Sequence, residues 1–208
     1  MRTLIATLIA TIVCATACGS GRSQAVATPA PISADAIRGA ALTPSDMGTD
    51  WTQKSDAAIN TVQIGGRIGA TNISNPGVVT TTAFEQKSGS GFVSDSVFLM
   101  ATPGLARSVI AAHEQAAATT TWTQTRTEGG HTDWKISGLI AGLNPPIGDQ
   151  MFATRMHADI SDAKGAKTAR SVEYVVFRVG RVVAFVVAQD TGAAAFARKL
   201  ETKVRAVA

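Results

Sequence analysis

Cysteine is nearly absent from this chain: Cys14 and Cys18 are the only two in 208 residues. Both sit at the N-terminal end, so no disulfide can tie the rest of the chain, and packing alone must hold it. Aromatics are scarce at 5%, which makes each of Trp51, Trp122 and Trp134 a candidate core anchor before it is a candidate ligand contact. An excess of one charge is also lacking. The formal net charge is only +4 and the charges are spread along the chain, so there is no basic stripe of the kind that binds nucleic acid. No apolar run reaches the ~20 residues that a membrane-spanning helix needs. Ser88-Gly89-Ser90-Gly91 lacks the Gly-x-Ser-x-Gly elbow of a serine hydrolase and reads as a hairpin loop. Gly65-Gly66-Arg67-Ile68-Gly69 lacks both the Lys-Ser/Thr pair and the strand-then-helix setting of a phosphate cradle.

What is present begins at the N-terminus. Arg2 precedes the apolar stretch Leu4 to Val13, and Ala15-Thr16-Ala17-Cys18-Gly19-Ser20 follows. A positive residue, a short apolar run and small residues before a cysteine resemble the signal and lipobox of bacterial lipoproteins, with Ala15 where Leu is usual. Cys14 is the poorer acceptor, because bulky Val13 would occupy the cleavage position. The resemblance implies a signal peptide over 1–17, removed after Cys18 receives its diacylglyceryl group, and a palmitate-type acyl anchor in the cell membrane. The protein then faces the extracytoplasmic side. Residues 18–32 are small, polar and Pro-containing and read as a tether. Residues 33–208 are long enough for one globular domain.

Periodicity predicts an α+β domain, an antiparallel sheet with packed helices. Ser33 caps a first short helix over Ala34 to Ala41, and Thr43-Pro44 opens a second. Strands are predicted at 59–64, 78–86, 92–100, 120–127, 131–136 and 151–160, with a long loop or ragged edge at 65–77 and a loop at 138–148. A helix over 103–118 has Thr102 as its cap and Leu105, Val109, Ala112 and Ala116 as its apolar stripe; His113-Glu114 falls on its solvated side. The most apolar unit is a hairpin over 171–188, with a bulged turn at Phe177 to Gly180 and strands covered on both faces. Thr191 is the predicted cap of a last helix that buries Phe196, Leu200 and Val204. The passages V-F-L-M-A-T-P and A-F-V-V-A-Q-D-T echo one another as strand, Thr and helix, which suggests two loosely similar sheet-plus-helix halves.

L-T-P-S-D-M-G-T-D-W at 42–51 looks like the opening of small actinobacterial lipoprotein domains. G-D-Q-M at 148–151, V-V-F-R-V-G-R-V-V-A-F-V at 175–186 and a closing Ala-rich helix resemble the PknH-like extracellular sensor domains, which also occur as stand-alone lipoproteins. The LpqN-type lipoproteins are a competing family. Sensor domains of the first kind carry paired cysteines that this chain lacks. Neither resemblance implies a catalytic residue.

The sharpest polar pattern is a repeated His-x-Asp: His131-Thr132-Asp133 and His157-Ala158-Asp159. On a strand, residues two apart share a face, so each pair presents an imidazole beside a carboxylate. Convergence of the two pairs would bring together four ligands of a type zinc accepts; the alternative is two solvent-facing strand surfaces. The expected function is therefore non-enzymatic and needs no cofactor: a lipid-anchored sensor-like domain binding an envelope ligand or protein partner. The rivals are an envelope hydrolase built on a His-Asp pair and a carrier of an apolar ligand.

Overall fold

The computed structural model describes residues 31–54, 78–116, 121–125, 129–138, 140 and 142–208. The signal peptide, Cys18, nearly all of the tether, the predicted strand at 59–64 and the loop at 65–77 lie outside these residues. Among the described residues, no helix is long and apolar enough to cross a membrane.

The elements are α1 (Ala34–Gly39), α2 (Pro44–Met47), β1 (Trp51–Gln53), β2 (Val78–Gln86), β3 (Phe92–Leu99), α3 (Pro103–Ala116), β4 (Thr121–Thr125), β5 (His131–Gly138), β6 (Gln150–Ser161), β7 (Lys167–Val179), β8 (Val182–Gln189) and α4 (Ala194–Arg205). The strands form one antiparallel sheet in the order β1-β2-β3-β8-β7-β6-β5-β4. The fold is α+β, as the periodicity predicts.

The β7–β8 hairpin lies at the centre because both of its faces are apolar. Val175, Phe177, Val182, Ala184 and Val186 pack on one side with Ile37, Leu42, Leu200 and Val204. Val172, Tyr174, Val176, Val183, Phe185 and Val187 pack on the other with Ala106, Val109 and Ile110. The first face is therefore covered by α1, α2 and α4, and the second by α3. The halves that echo one another in sequence send their helices to opposite faces. Adjacent antiparallel strands related by a two-fold would send both helices to one face, so the echo is of form and not of placement.

Ser33 caps α1 as predicted, accepting from Ala36 N at 3.1 Å. Asp46 accepts from both Thr43 N and Thr43 Oγ1, closing the turn that opens α2, and Thr102 Oγ1 accepts from Leu105 N at the start of α3. Ile32, the last residue of the predicted tether, packs against the core.

Four expectations are corrected. The hairpin turns through the two-residue loop Gly180-Arg181, since Val179 pairs with Val182; Gly180 at φ 57° takes the positive-φ position that a type II′ turn requires. The last helix starts at Ala194, and Thr191 does not cap it; Ala193 N donates to Glu173 Oε2 at 2.7 Å. A carboxylate held on β7 thus meets the positive end of α4. The buried stripe of α3 is Ala106, Val109, Ile110 and His113, while Leu105 remains 45% exposed. His113 is fully buried, contrary to its predicted solvated setting.

Candidate functional site

The structure gives definite positions to the four His-Asp residues. Both intra-strand pairs form: His131 Nε2 lies 3.3 Å from Asp133 Oδ2, and His157 Nε2 lies 3.1 Å from Asp159 Oδ1. β5 and β6 are neighbours, and Asp133 faces Asp159 directly. The antiparallel register then drives the imidazoles apart, since His131 pairs with Ser161 and His157 with Lys135. Along the strand this separates them by roughly 13 Å at ~3.4 Å per residue. Asp133 is further held by Thr123 Oγ1 at 2.7 Å. No group of three or more His, Cys, Asp or Glu among the described residues is placed to hold a metal ion. The four residues share a face but form two separate, half-exposed His-Asp pairs.

The third histidine is built into the interior. His113 Nδ1 lies 2.7 Å from the Val109 carbonyl oxygen, and Nε2 lies 2.7 Å from Tyr174 Oη. A carbonyl only accepts, so Nδ1 carries the proton and Nε2 accepts from the tyrosine hydroxyl. The rings stack at 5.5 Å, with Phe185 at 5.6 Å and Phe152 at 6.1 Å from the imidazole. Burial lowers the imidazole's pKa and raises the phenol's well above its usual value, so both groups stay neutral. On the opposite face Asp95 is fully buried beneath the loop between α1 and α2. Burial pushes its carboxyl up to about 7, against hydrogen bonds from Thr82 Oγ1 and from Leu42 N. Neither buried group opens onto solvent, and each satisfies its partners within the core.

A cleft lies elsewhere, beside the start of β6. It encloses about 450 Å³ and is lined by Ile140, Gly142, Leu143, Asn144, Met151, Phe152 and Ala153. Its outer wall is the 142–149 segment, fastened to α4 at two points. Arg198 Nη2 donates to the carbonyls of Gly142 and Pro145, at 3.3 and 2.6 Å. Gly148 N donates to Glu201 Oε1 at 2.7 Å. Gly148 itself, at φ 69°, lies against the backbone of Arg178, where an added Cβ would meet the carbonyl oxygen at 2.5 Å. Asp149 Oδ2 accepts from Gly180 N at 2.7 Å, joining this segment to the central hairpin. The G-D-Q-M motif thus holds the cleft wall in place. Met151 and Phe152 read in sequence only as alternating strand residues, because nothing local says that β5 ends before it reaches them.

No family model matches this sequence, and no curated protein matches it. The fold class is an antiparallel α+β sheet with helices on both faces. Among solved structures it is similar to the extracellular domain of PknH from Mycobacterium tuberculosis. The two share 14% identity with a TM-score of 0.56, over 85% of this chain and 98% of that domain. At that identity the likeness is one of fold.

Proposed function

We propose that this protein is a lipoprotein anchored through Cys18 on the extracytoplasmic side of the cell membrane, with a sensor-like, non-catalytic binding domain that recognises its ligand or partner in the cleft beside β6. The cleft carries the reading. Ile140, Leu143, Met151 and Phe152 converge on it, and its wall is pinned by Arg198 and Glu201. Concave, mostly apolar openings with few polar groups are the usual form of binding sites. The fold shared with the extracellular domain of PknH supports the extracytoplasmic placement. The paired His-Asp residues are not among those that line it.

Two measurements test the two halves of this proposal. Cys18→Ser should abolish labelling by a fatty-acid analogue and release the protein from membranes, because one acylated residue is the anchor proposed. Unchanged labelling would refute the anchor. Ala153→Arg places a long side chain in the cleft, so a molecule seen by native mass spectrometry on protein from its own host should be lost in the variant. Retention of that molecule would remove the cleft as the site.

A further inference from the structure

We infer that the cleft is an edge-strand receptor, taking an extended peptide segment that adds as a strand alongside Gln150 to Thr154 of β6. This rests on the cleft being the recognition site, and it names the class of ligand.

The lining residues carry the inference. Met151, Phe152 and Ala153 are consecutive, yet all three line one cleft. In a strand, consecutive side chains point to opposite faces of the sheet. Their register partners agree: Met151 and Ala153 lie opposite Phe177 and Val175 of one core, and Phe152 lies opposite Val176 of the other. A pocket on a sheet face would be lined by alternate residues. One lined by three in a row lies off the strand's edge, where the backbone N–H and C=O groups also point.

The sheet topology explains why an edge exists in mid-sheet. β6 pairs with β7 over its whole length, from Gln150 opposite Arg178 to Ser161 opposite Lys167. With β5 it pairs, among the described residues, only from Arg155 to Ser161. The register shifts between Ile136 and Gly138, and Thr154 Oγ1 donates to the Gly138 carbonyl at 3.2 Å, where the two strands part. Residues 142–149 form the wall that Arg198 and Glu201 hold. The space left is bounded by a strand edge on one side and by Ile140 and Leu143 on the other.

That geometry selects among occupants. An acyl chain would use the apolar wall but leave the main-chain groups of the edge without partners, which costs free energy wherever water is excluded. An extended peptide satisfies both, with ladder hydrogen bonds to the edge and alternate apolar side chains against the wall. Gln150 to Thr154 spans roughly 14 Å at ~3.4 Å per residue step, which suits a segment of about five residues.

The test is a selection from a random octapeptide library on the full chain carrying Cys18→Ser, followed by hydrogen exchange on the selected peptide's complex. Alternating apolar sequences should be recovered, and amide exchange within 150–154 should slow at least ten-fold on binding. N-methylation of alternate backbone nitrogens in the peptide, and Ala153→Arg in the protein, should each abolish binding while the variant's melting temperature stays within a few degrees. Palmitate serves as the acyl-chain probe. If palmitate perturbs the cleft and no peptide protects 150–154, strand addition is overturned while the cleft stands as a binding site. If selected peptides bind with full affinity after N-methylation, the inference fails likewise. If neither probe perturbs 150–154, the cleft reading falls with it.

Discussion

The two faces of the sheet are built by different means and bury opposite chemistry. One face is closed by α1, α2 and α4 and hides an acid, Asp95, beneath a loop. The other is closed, among the described residues, by α3 and hides a base, His113, between aromatic rings. Each group is buried against its ionised form, so the two faces respond to pH in opposite directions. A raised carboxyl makes the native state hold a proton that the unfolded chain releases above its ordinary pKa. Stability from Asp95 is therefore full in acid and lost as pH rises from about 4 to about 7. A lowered imidazole makes the unfolded chain bind a proton that the native state refuses. Stability on the His113 face is therefore lost as pH falls below about 6.5. Between about pH 4 and 6.5 the two tendencies oppose one another, and the wild-type profile hides both.

The largest way to break the comparison is through the packing beneath it. Leu200→Ala removes a fully buried side chain of α4 and should cost roughly 2–5 kcal/mol in urea unfolding. A cost as small as that of a surface change would mean α4 does not close its face. Asp95→Asn should expose the acid's share of the pH profile. Relative to the variant, the wild type should lose on the order of 4 kcal/mol between pH 4 and pH 8, at about 1.4 kcal/mol per pKa unit. Parallel profiles for the two proteins would show that Asp95 does not hold its proton in the fold. His113→Phe leaves the Tyr174 hydroxyl without its acceptor and should cost about 1–3 kcal/mol at pH 8. Adding Tyr174→Phe should recover part of that loss, and both variants should be flatter than wild type below pH 6.5. A double variant as unstable as the single one would sink the hydrogen-bond assignment. The smallest effect is expected of Lys199→Ala on the exposed side of α4, within about 0.5 kcal/mol although Lys199 Nζ donates to the Asp46 carbonyl.

These residues also divide by how far they were legible. Leu200 and Val204 announced themselves by helical spacing, and Val175 to Val187 by a strand pattern with no polar face. His113 lies four residues after Val109 and three after Ile110, on a stripe that starts at Ala106. Taking Leu105 as the first apolar position turns that stripe far enough to place the histidine in water. Glu173 is one polar residue in an apolar strand, and it reaches both the start of α4 and Arg155. The His-Asp pairs were legible as pairs, because spacing of two fixes a shared face. Their failure to converge was not, because register between strands depends on where β5 bulges and leaves its neighbour.

The sequence by itself determined the α+β class, the central hairpin, the small-residue junction at Cys18 and most of the caps. Each of these follows from local periodicity or from residues within a few positions of one another. Only the tertiary structure decided which faces α3 and α4 cover, which histidine is buried, and that β6, among the described residues, extends past its pairing with β5 beside Ile140 and Leu143. Those features depend on strand order and register, which are set by contacts between residues far apart in the chain.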